Sequence, residues 1–413
     1  MGSFDGSRPG RPRQAEAGLE WDSREFPPEA AQEAAGDHHV KTGIFVSRWA
    51  AALWLVAFVI VPTVKAQPPS PTRKTDAAEI ARLRQETSAG VARLEQWRVP
   101  ASGLYAQPTG WWNAANIVTT LVNYARVTGD RSVLAAVDAT FERANAANKT
   151  NNFLNEYNDD EGWWALAWID AYDLTRKPKY LAMAKTIFAD MAAQWEEPTC
   201  GGGIWWSKKD QYKNAIANEL FLSVAAALAN RDTDRAARAR ALDWAHREWT
   251  WLEHSGMINA QNLFNDGLKS KNPKACTNNG QNTWTYNQGV ILGGLVELAR
   301  ADKNPALLQQ ADAIASAAIA HLVTPEGVLT EQTVHGGDAP QFKGIFVRNL
   351  MLLHKAAPQS RYKAFLLTNA QSIVAHAAPD HAYGGNWEAV VDSADATRQS
   401  SALDALVAAL AMR

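Results

Sequence analysis

The chain has 413 residues, of which 46% are hydrophobic and 20% are charged, so it can bury a sizeable core. Its 41 basic and 43 acidic residues leave a net charge of −2. This balance gives no electrostatic reason to expect a nucleic acid or an anionic membrane as a partner. The 17 Trp outnumber both the 12 Phe and the 9 Tyr. Their large flat rings suit helix packing, which we expect for most of them.

The first 75 residues divide into three segments. Residues 1–39 are rich in Gly, Pro, Arg, Glu and Ala, which predicts a disordered extension. Residues 40–66 have a basic flank, a short apolar run and small residues at Val64 and Ala66, the layout of a secretory signal peptide. Residues 67–75 are predicted to be a linker. We therefore expect a secreted or extracytoplasmic protein with no stable membrane partner, or a membrane-anchored one if the leader stays uncleaved.

From residue 76 to residue 413, apolar residues recur at helical spacing in segment after segment. The first segment covers 77–97, and similar ones lie near 112–127, 131–147, 162–175, 179–195, 213–229, 234–253, 285–301, 305–321, 342–355, 359–376 and 398–411. Gly129, Pro178 and Pro305 mark helix ends and starts. Twelve helices make six hairpins, and no repeat period points to an open solenoid. The pattern predicts an all-α fold, a closed (α/α)6 toroid in a single domain.

Unusual residues concentrate between the predicted helices, in segments such as "PTCGGGIWWSKKDQYKNAIAN", "INAQNLFNDGL" and "NGQNTWTYNQG". These segments mix Gly, Asn, Asp and aromatic residues. Such loops indicate a polar cleft with aromatic walls, which suits a neutral ligand rich in hydroxyl groups. Five tryptophans could stack on sugar rings, and we expect two or three of them to do so. They are Trp163, Trp205, Trp206, Trp284 and Trp387. Tyr286 and Asn287 either line the cleft or cap the following helix.

The segment "NEYNDDEGWW" places three acids side by side at Asp159, Asp160 and Glu161. Glycoside cleavage needs two carboxyl groups, about 5–5.5 Å apart when configuration is retained. Adjacent residues in a loop just before a helix can direct both carboxyls into one cleft. Crowding also raises the proton affinity of one acid, which leaves an acid beside an ionised neighbour. The alternative is an acidic first helical turn, capped by Asn158 or Asp159, that favours the helix dipole.

Several separated segments together resemble glycoside hydrolase family 76, the endo-α-1,6-mannanases and their fungal cell-wall relatives. They are "YNDDEGWWALAWIDAYDLT", "CGGGIWWSKK", "TYNQGVILGGLVEL", "FKGIFVRNL" and "QSSALDALVAAL", in the family's order from residue 76 onward. The resemblance implies an (α/α)6 fold, endo action with retention on α-1,6-mannan, and no cofactor or catalytic metal. It also implies that Asp159 is the nucleophile and Asp160 the general acid/base. Asp266 falls where the family has a substrate-contacting acid, or forms an Asx turn before Gly267.

Three other functions fit parts of the pattern. A retaining enzyme can transfer mannan or a glycan anchor to an acceptor instead of water, as a cell-wall transglycosidase. A non-catalytic carbohydrate-binding protein would need the aromatic residues but not the adjacent acids. A terpene-cyclase-like enzyme would need a different spacing of aspartates, and export fits it poorly. We expect a monomer that acts on a polysaccharide.

One residue and one pair have expected structural roles. Arg348, inside a predicted helix, is expected to form an ion pair. Cys200 and Cys276 are the two cysteines of the chain and lie in no metal-binding spacing. In an oxidising compartment they form a disulfide, and the alternative is two free buried thiols.

Overall fold

Twelve α-helices dominate the computed structural model of the chain, which describes residues 71–270, 272 and 275–412. The helices are α1 (Pro71–Glu95), α2 (Trp111–Thr128), α3 (Leu134–Asn148), α4 (Asn158–Thr175), α5 (Pro178–Ala192), α6 (Ala215–Arg231), α7 (Arg235–His254), α8 (Thr285–Asp302), α9 (Ala306–His321), α10 (Phe342–Ala356), α11 (Ser360–Ala375) and α12 (Ala396–Ala411). Two short antiparallel hairpins lie between helices, β1 (Arg98–Val99) with β2 (Leu104–Tyr105) and β3 (Leu268–Ser270) with β4 (Cys276–Asn278). The prediction of an all-α fold is confirmed.

The even-numbered helices form a closed inner ring. Helix α2 packs on α4, α4 on α6, α6 on α8, α8 on α10, α10 on α12, and α12 returns to α2. The odd-numbered helices lie outside this ring, where α5, α7 and α9 each pack on the inner helix that precedes them. Helix α1 completes the outer layer beside α12, because the Gln399 amide donates a 3.0 Å hydrogen bond to the Gly90 carbonyl. This architecture is the predicted (α/α)6 toroid.

Burial explains why the inner helices have their composition. All residues of α12 from Ala396 to Leu410 are buried, and so are residues 215–228 of α6. A helix covered on every side cannot be amphipathic, so these segments are rich in Ala and Leu. Glycine allows the closest crossings, since a Cβ at Gly344 would lie 2.6 Å from the Cα of Ser401.

Connections at the two ends of the ring differ in length. The chain leaves each inner helix through a short turn, as between Thr175 and Pro178, and returns from the outer helix through a long loop. Because every outer helix brings the chain back, the six inner helices run parallel. Their N-termini therefore share one end of the ring with the long loops.

The N-terminal predictions have two outcomes. The predicted extension (1–39), signal peptide (40–66) and residues 67–70 of the predicted linker lie outside the described residues. Helix α1 begins at Pro71, so residues 71–75 are helical where a linker was predicted. Proline is favoured in the first turn of a helix, where its missing N–H is not needed. No helix within the described part of the chain combines the length and apolar character that a membrane crossing requires.

Candidate active site

The three consecutive acids lie in the first turn of α4, at the loop-rich end of the ring. The prediction that they precede the helix in a loop is therefore wrong. The acidic first turn is the better description, although Tyr157 occupies the N-cap and no side chain caps the helix. The neighbouring loop fixes this helix start, since Asn158 donates from its backbone N to the Trp206 carbonyl (2.9 Å) and from its side chain to the Trp205 carbonyl (2.8 Å).

The two aspartates have different surroundings. Asp159 is partly exposed, and its Oδ2 accepts a 3.1 Å hydrogen bond from the indole nitrogen of Trp206. Asp160 is 2% exposed, and its Oδ2 accepts a 3.2 Å hydrogen bond from the side chain of Asn155. An N–H donor stabilises the charged form of a carboxyl, and so does the positive end of a helix dipole. Both aspartates have an N–H donor, so what distinguishes the two adjacent carboxyls is burial: Asp159 is partly exposed and Asp160 is buried.

The third acid, Glu161, is a buried support for this turn. Its Oε1 accepts hydrogen bonds from the Lys208 ammonium (2.6 Å) and from the backbone N of Asn155 (2.7 Å). Burial raises the pKa of Glu161 to about 8, while the Lys208 charge opposes the rise. For Glu161, desolvation is the main cause of the raised pKa, not crowding by the neighbouring aspartates.

Four aromatic rings from four inner helices close the interior of the ring beneath the cleft. Trp112 stacks on Trp163 (centroids 5.8 Å apart) and on Phe342 (5.9 Å). Tyr286 stacks on Phe342 at 4.0 Å and lies 6.4 Å from Trp163. We call these four rings the aromatic layer. Trp163 is only 3% exposed, so its predicted role in sugar stacking gives way to packing within this layer.

Tyr286 is the partly exposed member of the aromatic layer, and acids surround it. Burial and negative charge raise its pKa well above the usual value for tyrosine. The contributing carboxyl groups are those of Asp266, Asp159, Glu219 and Asp338. Acids from α4, α6 and two loops therefore lie near enough to act on this ring, and we take the region around it as the candidate cleft.

Asp266 lies in the loop before α8, and its side chain is held from one side. The Tyr212 hydroxyl donates a 2.5 Å hydrogen bond to Asp266 Oδ2, and Tyr212 in turn accepts one of 2.9 Å from Asn279. The Asp266 carbonyl accepts from the backbone N of Ala215, which ties the loop to the start of α6. The carboxylate is bound by a tyrosine rather than by an Asx turn.

Three of the remaining predicted sugar-binding residues are partly exposed. Trp206 and Trp205 are partly exposed, and the Lys213 ammonium lies 4.6 Å from the Trp205 ring. Trp284 is also partly exposed and packs edge-on against Phe342 at 5.5 Å.

Trp387 and Asn287 do not present a surface to the cleft. Trp387 is 2% exposed beneath the Lys343 ammonium, 4.1 Å from its ring centroid, so no face is free for a sugar. Asn287 is fully buried within α8 and does not cap it. We do not retain either residue in the proposed site.

A disulfide joins two of the loops that build the cleft. Cys200 and Cys276, 76 residues apart, are bonded with their Cα atoms 5.4 Å apart. Cys200 precedes the loop segment that carries Trp206, and Cys276 lies in β4, which pairs with β3 just after Asp266. Among the described residues, no three or more His, Cys, Asp or Glu side chains are grouped to hold a metal ion.

Sequence reasoning missed Trp112, Phe342 and Glu219. Trp112 and Phe342 occupy the first turn of α2 and α10, the position that Tyr286 occupies in α8. An alignment of the six inner helix starts would have grouped them. The indole nitrogen of Trp112 also donates a 2.7 Å hydrogen bond to Asp338.

A closed ring of helix pairs with two adjacent carboxyls at its loop-rich end provides the two groups that glycoside hydrolysis needs. Residues 92–413 match glycosyl hydrolase family 76, so the chain belongs to this family. Among curated relatives, the mannan endo-1,6-alpha-mannosidase DCW1 of Candida glabrata is 26% identical over 312 residues, which are 69% of this chain and 68% of that protein. The mannan endo-1,6-alpha-mannosidase DFG5 of Candida albicans is 27% identical over 63% of this chain and 61% of its own length, which is less than two thirds.

Solved structures show the same fold. The α-1,6-mannanase of Salegentibacter sp. HEL1_6 superposes with a TM-score of 0.72 at 22% identity, over 80% of this chain and 100% of that one. An inactive variant of it, with two consecutive aspartates changed to asparagine, was solved with α-1,6-mannotriose. Dfg5 of Chaetomium thermophilum, in complex with glucosamine, superposes with a TM-score of 0.70 at 21% identity, over 80% of this chain and 90% of that one.

Proposed function

We propose that the protein hydrolyses α-1,6-mannosidic linkages within mannan backbones, with retention of configuration. The observation that carries this proposal is the Asp159–Asp160 pair at the start of α4, where acids and partly exposed aromatic rings meet. The names of the curated relatives support the linkage and the endo action. The inactive mannanase variant supports the pair itself, because it too was made by changing two consecutive aspartates.

In the proposed reaction, the ionised Asp159 attacks the anomeric carbon while Asp160 gives its proton to the leaving glycosidic oxygen. This step yields a covalent mannosyl–Asp159 ester and a shortened chain with a free hydroxyl. Asp160, now ionised, then takes a proton from water as the water attacks the ester, which releases the sugar and restores both acids. The Trp206 N–H and the dipole of α4 favour the charged form that Asp159 needs.

Substrate recognition would use groups at the mouth of the ring. Asp266 accepts from Tyr212 through Oδ2, so Oδ1 can accept from a sugar hydroxyl. The partly exposed indoles of Trp205, Trp206 and Trp284 offer apolar faces for the CH side of a mannose ring. We place the reaction outside the cytoplasm, because the leader at 40–66 and the disulfide both fit an oxidising compartment.

The test is to incubate the purified full-length protein with unbranched α-1,6-mannan, size the products and follow their anomeric configuration by NMR. We expect a ladder of oligosaccharides that first appear as α-anomers. Asp159→Asn and Asp160→Asn should each lower kcat/KM by at least about 10³-fold. Asp210→Asn, an exposed acid of a neighbouring loop, is the control and should keep full activity.

Three results would count against the proposal. If the wild-type protein did not cleave α-1,6-mannan, the proposed substrate would be wrong. First products in the β-configuration would contradict the proposed retention of configuration. Full activity in either Asn variant would contradict the assignment of Asp159 and Asp160 as the catalytic pair. Products longer than the substrate, formed with an added acceptor, would assign transfer instead of hydrolysis, since both reactions share the ester intermediate.

A further inference from the structure

Asn155 lies in the loop before α4 and contacts one of the two aspartates that we assign to catalysis. Its side-chain nitrogen donates a 3.2 Å hydrogen bond to Asp160 Oδ2. The last torsion of an aspartate side chain is soft, with a broad distribution instead of three sharp wells. An N–H donor at one carboxyl oxygen therefore selects the orientation of the whole group. Because Asp160 is the proposed general acid/base, this orientation decides where its proton is directed.

The amide of Asn155 is itself held so that its nitrogen points to Asp160. Its Oδ1 accepts a 2.6 Å hydrogen bond from the backbone N of Tyr157, two residues along the chain. An amide has one accepting end and one donating end, so the contact with Tyr157 leaves the donating end for Asp160. The hydrogen bonds on both sides thus assign the two amide atoms in the same way.

The backbone of Asn155 is also held from two sides. Its N–H donates to Glu161 Oε1 at 2.7 Å, and its carbonyl accepts from the Lys208 ammonium at 2.7 Å. The same ammonium binds Glu161 at 2.6 Å and also binds Asp190 on α5. Lys208 therefore ties this loop residue to the first turn of α4 and to an outer helix. Both backbone groups and both ends of the amide of Asn155 have partners.

The ion pair of Lys208 differs from those that join inner helices to each other. Arg348 of α10 binds Asp404 of α12 at 3.1 Å, which is the ion pair that the sequence predicted, and it connects two helices. Lys208 instead lies in a loop, and its partner Glu161 is fully buried directly after Asp160. Separating a buried ion pair leaves a charge without compensation, so such a pair resists separation. The loop that carries Asn155 is therefore fixed relative to the acid that it contacts.

We propose that Asn155 is a positioning residue for proton transfer, which orients the Asp160 carboxyl while Lys208 keeps Asn155 in place. This inference rests on the proposed function, since Asn155 acts through Asp160 alone. In that reaction, Asp160 gives a proton to the glycosidic oxygen and later takes one from water. A carboxyl that rotates freely is turned away from these groups for part of the time. Loss of Asn155 should therefore slow both proton transfers and leave the attack by Asp159 intact.

The experiment compares two substrates that differ in their need for an acid, with the purified full-length protein. Cleavage of α-1,6-mannan needs a proton on the leaving oxygen, whereas a dinitrophenyl glycoside of α-1,6-mannobiose releases its phenolate without one. We expect Asn155→Ala to lower kcat/KM on mannan between about tenfold and a hundredfold. On the dinitrophenyl substrate, kcat/KM should stay within about twofold of wild type. There kcat and KM should fall together, because the attack of water on the ester still needs Asp160 as a base and the ester accumulates.

Three further variants sharpen the result. Asn155→Asp keeps an acceptor for the backbone N of Tyr157, but its new carboxyl competes for the proton that Asp160 must donate, so it should also lose activity on mannan. Lys208→Met should show the same substrate pattern in weaker form, because it releases only the carbonyl of Asn155. Asn151→Ala, an exposed asparagine of the same loop, is the control and should match wild type on both substrates.

Wild-type kcat/KM on mannan in Asn155→Ala would overturn the proposal. An equal loss on both substrates would overturn it too, because general damage to the structure lowers both rates alike. Should Asn155→Ala fail to fold, wild-type kinetics on mannan in Asn155→Asp would have the same consequence. A wild-type protein that cleaves neither substrate would refute the proposed function and this inference with it, whereas the other results refute the inference alone.

Discussion

Breaking the Cys200–Cys276 disulfide should lower stability by an amount that its loop length sets. The bond closes a loop of 76 residues. The chain-entropy relation assigns such a loop about 4.5 kcal/mol of stabilisation at 25 °C. The compact unit extends from Glu79 to the C-terminus, and at about 2.1 cal/mol/K per residue its unfolding entropy is about 0.7 kcal/mol/K. The expected loss in thermal midpoint is therefore about 6 °C.

The assay compares wild type, reduced wild type and the double variant Cys200→Ser/Cys276→Ser by thermal unfolding. The chain has two cysteines, so a reductant acts on this bond alone. Reduced wild type and the double variant should agree, and the double variant should not respond to the reductant. A midpoint that falls by less than about 1 °C would refute the argument that this loop closure restrains the unfolded chain.

The same variant should lose activity at temperatures where it remains folded. The disulfide joins the loop that positions Trp206 against Asp159 to the hairpin beside Asp266. Loosening these loops displaces the groups that contact the acids, and a shift of about 1 Å costs on the order of 10²-fold in rate. We expect kcat/KM on α-1,6-mannan to fall between tenfold and a hundredfold. Wild-type kinetics in the double variant would show that the loops hold their positions without the bond.

Three further predictions concern single side chains. Trp206→Phe removes the N–H that donates to Asp159, so kcat/KM on mannan should fall about tenfold with an unchanged thermal midpoint; an unchanged rate would contradict this role. Glu219→Leu should keep or raise the thermal midpoint, since both carboxyl oxygens are buried and make no hydrogen bond within the described residues. It should also lower kcat/KM, because the Glu219 charge acts on Tyr286. Glu248→Leu is its control, because Glu248 has the same unpaired burial on an outer helix and should leave kcat/KM unchanged. Burial lowers the pKa of Lys343 to about 7. Between pH 7 and 10 the unfolded state therefore binds more protons than the folded state. Because of this difference, the free energy of unfolding of the wild type rises by up to about 1.4 kcal/mol per pH unit from this group. Lys343→Met should lose that gain in urea unfolding at pH 7 and 9, and an identical pH dependence in both proteins would refute it.

Helices could be predicted from the sequence because their signals are local. Apolar spacing, Gly129, Pro178 and Pro305 identify segments whose positions agree with the structure to within a few residues. The start of α4 was placed four residues late, at 162 instead of Asn158. Asn, Asp and Gly are poor helix formers, and what holds them in a helix here is the contact of Asn158 with a loop distant in sequence.

The candidate site was only partly predictable for a similar reason. Adjacent acids at 159 and 160 are visible in any reading of the chain. By contrast, Trp112 and Phe342 become neighbours only when the ring closes, and that closure involves helices far apart in sequence. Trp387 looked like a platform for sugars because its segment is rich in Gly and Asn. In the structure Trp387 is buried with the Lys343 ammonium over its ring, a contact that composition cannot reveal.

The aromatic layer decides how a long polymer can approach this enzyme. If a toroid has an open channel, the end of a polysaccharide chain can enter it, and the enzyme then cleaves inward from that end. Here, the four rings of the aromatic layer fill the interior of the helix ring. We therefore expect a polysaccharide to bind across the mouth of the ring, with both of its ends outside the ring. Any stretch of backbone can then settle over the acids, however far it is from a terminus.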